Sequence, residues 1–123
     1  MKWAALFHQK FEIEFDSLSE EVQDEALANI KLLEQFGPVL GRPRVDTLKG
    51  SRYANMKELR FDAADGVLRL AFAFDPKRRA ILLRCGDKSG GSERSFYRRL
   101  IAKADERYGM YLAQLKAESK RKS

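Results

Sequence analysis

The chain is poor in the residues on which many enzyme centres depend. It has one histidine, His8, and one cysteine, Cys85, in 123 residues. A lone histidine leaves no His-centred triad and no multi-histidine metal site unless other ligand types substitute. A lone cysteine closes no internal disulfide, and a strand position suits it as a small core residue better than as a nucleophile. No apolar run nears the roughly 20 residues that a membrane-spanning helix needs. The first residues lack the basic, apolar and small-residue succession of a signal peptide. Zinc spacing, internal repeats and paired-carboxylate sites are also missing. The glycine-rich segment Gly86-Asp87-Lys88-Ser89-Gly90-Gly91 is no Walker loop, because Lys88 precedes the glycines. These absences predict a cytoplasmic protein with no metal and no cofactor.

What the chain does have is charge, unevenly placed. A length of 123 residues suits one domain, with roughly two-thirds of the unfolded surface buried. Hydrophobic content of 44% and charged content of 34% fit a soluble globular protein. The net charge of +6 hides an asymmetry: residues 1–37 hold 3 basic and 8 acidic side chains, residues 38–123 hold 21 and 10. A basic body points to an anionic partner, most simply nucleic acid.

Residues 57–88 read as three strands in an antiparallel meander. Asp65-Gly66 marks the first turn and Asp75-Pro76 the second, where proline presets φ. Strand alternation puts Leu59, Phe61, Leu68, Leu70, Phe72, Phe74, Ile81, Leu83 and Cys85 on one bulky face. The other face carries Arg60, Arg69 and Arg84, one per strand, beside Ala71, Ala73 and Ala80. This predicts an open, alanine-lined floor for a flat anion. An ordinary solvated face fits the same pattern equally well.

Around the meander, residues 2–7 suggest a strand and His8 a junction. Residues 9–17 fit a short helix, although F-E-I-E-F also alternates as a strand would. Ser17 or Ser19 caps a second amphipathic helix that stops at Gly37-Pro38. The helical pair is expected to pack on the bulky face. Residues 38–56 form a long basic connection, with a strand fragment at 45–48. Its Lys49, Arg52 and Tyr53 suit phosphate contact and base stacking, or merely a solvated loop. After the glycine-rich bend, Ser92 or Ser95 caps a last helix with Phe96, Leu100, Ala104, Tyr108, Tyr111 and Leu115 as its buried stripe. Tyr97 lies off that stripe near Lys88. Gly109 weakens the helix interior. The domain is expected to end at residue 117, with 118–123 as a basic flexible tail. The fold class is α+β.

This order of elements, with LGRPRVDTLKGSRYANMKELRF, LAFAFDPKRRAILLRCGDKSG and FYRRLIAKADERY, resembles the RelE/HigB superfamily of bacterial toxins, and within it the HigB-like, phage-related killer-protein branch. The resemblance covers roughly residues 2–115. It implies a RelE-like compact fold and a toxin of a type II toxin–antitoxin system. The implied activity is a ribosome-dependent, metal-independent mRNA endoribonuclease. The implied partners are a helix-turn-helix, HigA-like antitoxin in a hetero-oligomer, the ribosome and mRNA. Residue by residue, Arg69 matches the family's arginine in the second meander strand. Lys57 and Arg60 match its basic first strand in kind, with Glu58 where lysine is frequent. Lys88 stands for the basic residue after the third strand and Tyr97 for the late tyrosine. Histidines used by some relatives have no counterpart. The resemblance thus makes Arg69, Lys88, Tyr97, Arg60 and Lys57 candidate catalytic residues, and the basic pattern of the meander and of the long loop adds Arg84, Lys49, Arg52 and Tyr53 as candidate RNA contacts. Arg69 and Arg60 would brace the phosphate, and Lys88 or Lys57 would act as base only with a lowered pKa. Two rival readings remain: a non-catalytic RNA- or ribosome-binding module, and a regulatory partner whose basic face seats an acidic protein.

Overall fold

The computed structural model describes residues 2–122. The elements run β1 (Ala4–Phe7), α1 (Gln9–Asp16), α2 (Glu20–Phe36), a short 3-10 turn (Gly37–Val39), β2 (Val45–Thr47), β3 (Met56–Ala63), β4 (Gly66–Phe74), β5 (Arg79–Asp87) and α3 (Glu93–Lys122). The five strands form one sheet in the order β1-β5-β4-β3-β2, with β1 parallel to β5 and every other pair antiparallel. The α+β class is as expected. Residues 9–16 are helical: Phe11 and Phe15 fall one turn apart, and His8 caps the helix by accepting from the Lys10 amide. Ser19 caps α2 through the Val22 amide.

The sheet is covered on both faces. Phe11, Phe15, Val22, Ala26, Ile30 and Leu33 of α1 and α2 meet Leu59, Phe61, Leu70, Phe72 and Leu82. Phe96, Leu100, Ala104 and Tyr108 of α3 meet Met56, Ala71, Ala73, Ile81 and Leu83. Central strand β4 is therefore buried throughout Leu70–Ala73. Its bulky residues face the helical pair. Its alanines lie under α3, where small side chains let a helix approach closely. The alanine floor expected to be open is the seat of α3, and this corrects the sequence reading.

A second correction concerns β5. A one-residue irregularity separates the pairs Ala71–Arg84 and Phe72–Leu82, leaving Leu83 unpaired. Such a bulge shifts the alternation by one. Ala80 and Leu82 therefore join the helical-pair face, and Ile81 and Leu83 the α3 face, the reverse of the expected assignment. Beyond the bulge Cys85 and Arg84 fall as predicted. Cys85 is a free thiol packed against the core of the helical pair, and burial pushes its pKa up to about 12. The first hairpin also differs. Its turn residues are Ala64 and Asp65, with φ of 51° and 62°, while Gly66 opens β4 opposite Ala63.

The glycine in α3 has a packing reason. A Cβ on Gly109 would stand 3.1 Å from the Tyr53 hydroxyl, so the glycine lets the 48–55 loop lie against the helix. The helix also runs on through 118–122, past the residue where the domain was expected to end.

Electrostatics ties the two helical layers together. Arg107 of α3, 4% exposed, donates to the Leu83 carbonyl at 2.7 Å and to Glu14 Oε1 at 2.8 Å. Glu14 also receives Arg84 at 2.7 Å. Glu14, on the acidic face of α1, neutralises a buried guanidinium. The Arg107 hydrogen bond, helped by the charges of Arg84 and Arg107, holds its carboxyl below the ordinary value of 4.5, against the opposing effect of burial. A lowered folded-state pKa adds stability above the unfolded value that is lost as pH falls through the folded one. Glu14→Ala is expected to cost about 2 kcal/mol at pH 7, less than a fully buried pair because Glu14 is partly exposed. Urea midpoints at pH 7 and pH 3 check this. The variant should show a smaller acid-dependent loss than the wild type, and identical losses would refute the role.

Candidate functional site

At the far end of β3 and β4 the α3 face escapes the helix. Three residues of this face come from adjacent positions: Glu58 and Arg60 on β3, and Arg69, which stands directly opposite Arg60. Two guanidiniums facing each other across a ladder repel. Glu58 resolves this. Its side chain is 4% exposed and lies 3.2 Å from Arg60 Nη2 and 3.5 Å from Arg69 Nε. The first turn of α3 then brings Tyr97, whose hydroxyl donates to Glu58 Oε1 at 2.8 Å. Burial, followed by the bond to Glu58, raises the Tyr97 pKa, with Arg69 opposing. Lys88 sits over the Tyr97 ring, 5.5 Å from its centroid, and pairs with Glu93 at 3.0 Å.

Arg60 also bonds Asp46 at 3.1 Å, and Arg69 donates to the Leu68 carbonyl at 2.9 Å. The buried Nε atoms of both arginines make no hydrogen bond among the described residues. For Arg60, burial lowers the pKa but Glu58 and Asp46 outweigh it, so the guanidinium titrates above its ordinary value. The arrangement is a carboxylate held between two permanent cations, with a phenol and an ammonium beside it. Among the described residues no group of three or more histidine, cysteine, aspartate or glutamate side chains is placed to hold a metal.

The structure therefore brings together Arg60, Arg69, Tyr97 and Lys88. It separates the rest. Lys57 alternates to the other face of β3, where its ammonium lies 3.4 Å from Thr47 Oγ1. Arg84 does not join Arg60 and Arg69. It turns toward α1 and Glu14, so the expected convergence of three arginines is corrected to two. Arg52 stacks over Tyr53 at 5.7 Å, and Tyr53 is edge-on to Tyr108 at 4.9 Å, so the ring serves packing. Asp105 of α3 anchors this loop through the Ser51 hydroxyl and the Arg52 amide. Lys49 remains exposed.

Glu58 was not among the expected site residues. The sequence held a signal for it: a carboxylate in mid-strand at a position alternating with buried apolar residues is rarely buried without partners. Its partners needed the cross-strand register to be seen.

The strand order and the covering helices make this a RelE-like fold. A computed superposition on a double arginine-to-alanine mutant of the E. coli toxin RelE in its free state gives a TM-score of 0.55, at 13% identity, over 82% of this chain and 99% of that one. The family model for phage-derived Gp49-like proteins matches residues 13–109. The chain belongs to this Gp49-like family, which is of RelE/HigB toxin type. Two relatives from Mycobacterium tuberculosis are named "Putative toxin HigB2" and "Putative toxin HigB3". They share 44% identity over 100 residues and 46% over 99, covering 80% of this chain in each case. The matched stretch spans 49% of the first relative's length and 84% of the second's. No helix among the described residues is long and apolar enough to cross a membrane.

Tyr97 should titrate above its ordinary value of 10. Alkaline absorbance titration, with Tyr97→Phe subtracted to isolate this phenol, checks it. Glu58→Gln removes the negative neighbour and should bring the transition down toward 10. An unmoved transition in that variant would show that Glu58 does not govern the phenol.

Proposed function

We propose that this protein is the toxin of a type II toxin–antitoxin system and cleaves mRNA through the ribose 2′-hydroxyl, without a metal, in the ribosome's decoding site. The observation that carries the reading is the pair of facing guanidiniums around one buried carboxylate. RNA cleavage of this kind needs three things: removal of the 2′ proton, stabilisation of the charge gathering on phosphorus, and protonation of the departing 5′-oxygen. Glu58 accepts the proton as the 2′-oxygen bonds to phosphorus. Arg60 and Arg69 donate to the non-bridging oxygens, where planar guanidiniums give paired contacts. Lys88 gives a proton to the 5′-oxygen as the P–O5′ bond breaks, leaving a 2′,3′-cyclic phosphate and a 5′-hydroxyl. Tyr97 orients Glu58 and shields the pair from solvent.

Several features support the wider reading. The Gp49-like family and the relatives' names favour a toxin held by an antitoxin partner. A helix-turn-helix, HigA-like antitoxin fits the branch the sequence resembles. The domain is taken as residues 1–117, with 118–123 as its basic extension, acting in the cytoplasm. Arg84, Lys49 and Arg52 lie outside the reacting cluster and serve RNA only as peripheral charges. Lys57 has no part in the reaction.

Induction of the protein alone, followed by mapping of mRNA 5′ ends, tests the proposal. Wild type should generate new ends in translated messages. Arg69→Ala should lose roughly 10²–10³-fold in cleavage while keeping its thermal transition, the usual size for one lost stabiliser of developing charge. Wild-type cleavage by Arg69→Ala would remove this arginine from the site. Salt-dependent ribosome binding without new ends would favour a non-catalytic module.

A further inference from the structure

A cavity of about 460 Å³ lies on the other side of α3 from Glu58, between that helix and the end of β5. Its floor is apolar, made by Phe96 and Leu100, and its rim carries the cations Arg84, Arg99 and Lys103 and the carboxylates Asp87 and Glu106. We propose that it binds a nucleotide flanking the one that is cut, seating the base on the floor and the phosphate on the cationic rim. This inference rests on the ribonuclease reading and adds a subsite to it.

Three observations carry it. The first is charge. Among the described residues Glu14 is the only carboxylate paired with Arg84, and it is shared with Arg107, which takes both of its oxygens. One carboxylate faces two guanidiniums, and Arg84, the more exposed of them, lines the cavity. Arg99 and Lys103 balance Asp87 and Glu106 on the rim, so the excess at Arg84 remains and favours an anion there. The second is shape. The volume is within the range of small-molecule sites, and an aromatic and aliphatic floor accepts the flat face of any base. Glu106 adds an acceptor suited to a base's amino or imino hydrogens, and it would repel an acidic peptide. The third is continuity. The wall between the cavity and the reacting cluster is Phe96 with Gly86. Phe96 is edge-on to Tyr97 at 5.1 Å, and Gly86 stands opposite Arg69. A Cβ on Gly86 would come within 2.8 Å of the Phe96 ring, so this wall closes only with glycine. Single-stranded RNA is read with its bases splayed apart, and one such wall separates two neighbouring nucleotides.

The test uses the full chain with adenosine 5′-monophosphate and guanosine 5′-monophosphate as probes and inorganic phosphate as the comparison. Methyl NMR signals of Leu100 and Ala102 should shift with the nucleotides and much less with phosphate. Arg99→Ala/Lys103→Ala should weaken nucleotide binding roughly tenfold, the scale of a lost charge-assisted contact. In mapped mRNA ends the same variant should lose its preference at one nucleotide beside the cut. Equal shifts with phosphate alone, or none with any probe, would overturn the base seat. Binding at the cavity without any mRNA cleavage would instead overturn the ribonuclease reading and leave a nucleotide site with no cut beside it. Cleavage that depends on Arg69, with unchanged flanking preference in the double variant, would overturn the subsite and leave the reaction.

Discussion

The seating of α3 on the alanines of β4 decides what the rest of the molecule can expose. Ala71 and Ala73 are fully buried beneath Phe96, Leu100, Ala104 and Tyr108. Each contact is weak alone, but together they bring a long helix close to the sheet. The helix covers the middle of the arginine-bearing face and leaves its two margins. Arg60 and Arg69 are on one margin and Arg84 is on the other. A larger side chain at either alanine would lift the helix and rejoin the margins.

Both margins obey the same electrostatic rule. On one, Glu58 lies between Arg60 and Arg69. On the other, Glu14 lies between Arg84 and Arg107. In each case a carboxylate offsets part of the repulsion between two guanidiniums, and on the first margin Asp46 also pairs with Arg60. The two carboxylates differ in burial, with Glu58 enclosed and Glu14 partly exposed. Glu58 holds two strands and Tyr97 together, while Glu14 acts as a structural link between α1 and α3.

Much of this was legible in the chain. Phe11 and Phe15, the Ser19 cap and the apolar stripe of α3 follow from helical spacing, which is a local property. The hairpin at Asp75-Pro76 follows from turn chemistry. Arg69, Arg60, Tyr97 and Lys88 were found through resemblance and strand parity, and the structure puts them together. Glu58 was passed over because its role comes from its neighbours. Nothing in KELR itself says that Arg69 stands opposite and Tyr97 above. Arg84 was misplaced because parity carried across three strands does not say where a helix will cross them.

By itself the sequence determined the elements, the acidic hairpin against a basic body, and the bulky face of β3 and β4, because each depends on spacing within one segment. Tertiary structure alone decided the irregularity at Leu83, the covering of the alanines and the partition of the arginines. These depend on how segments distant in the chain fit against each other. An unpaired residue in β5 reverses which side chains face α3, and no local pattern records it, because its cause is the match between two strands and the helix laid over them.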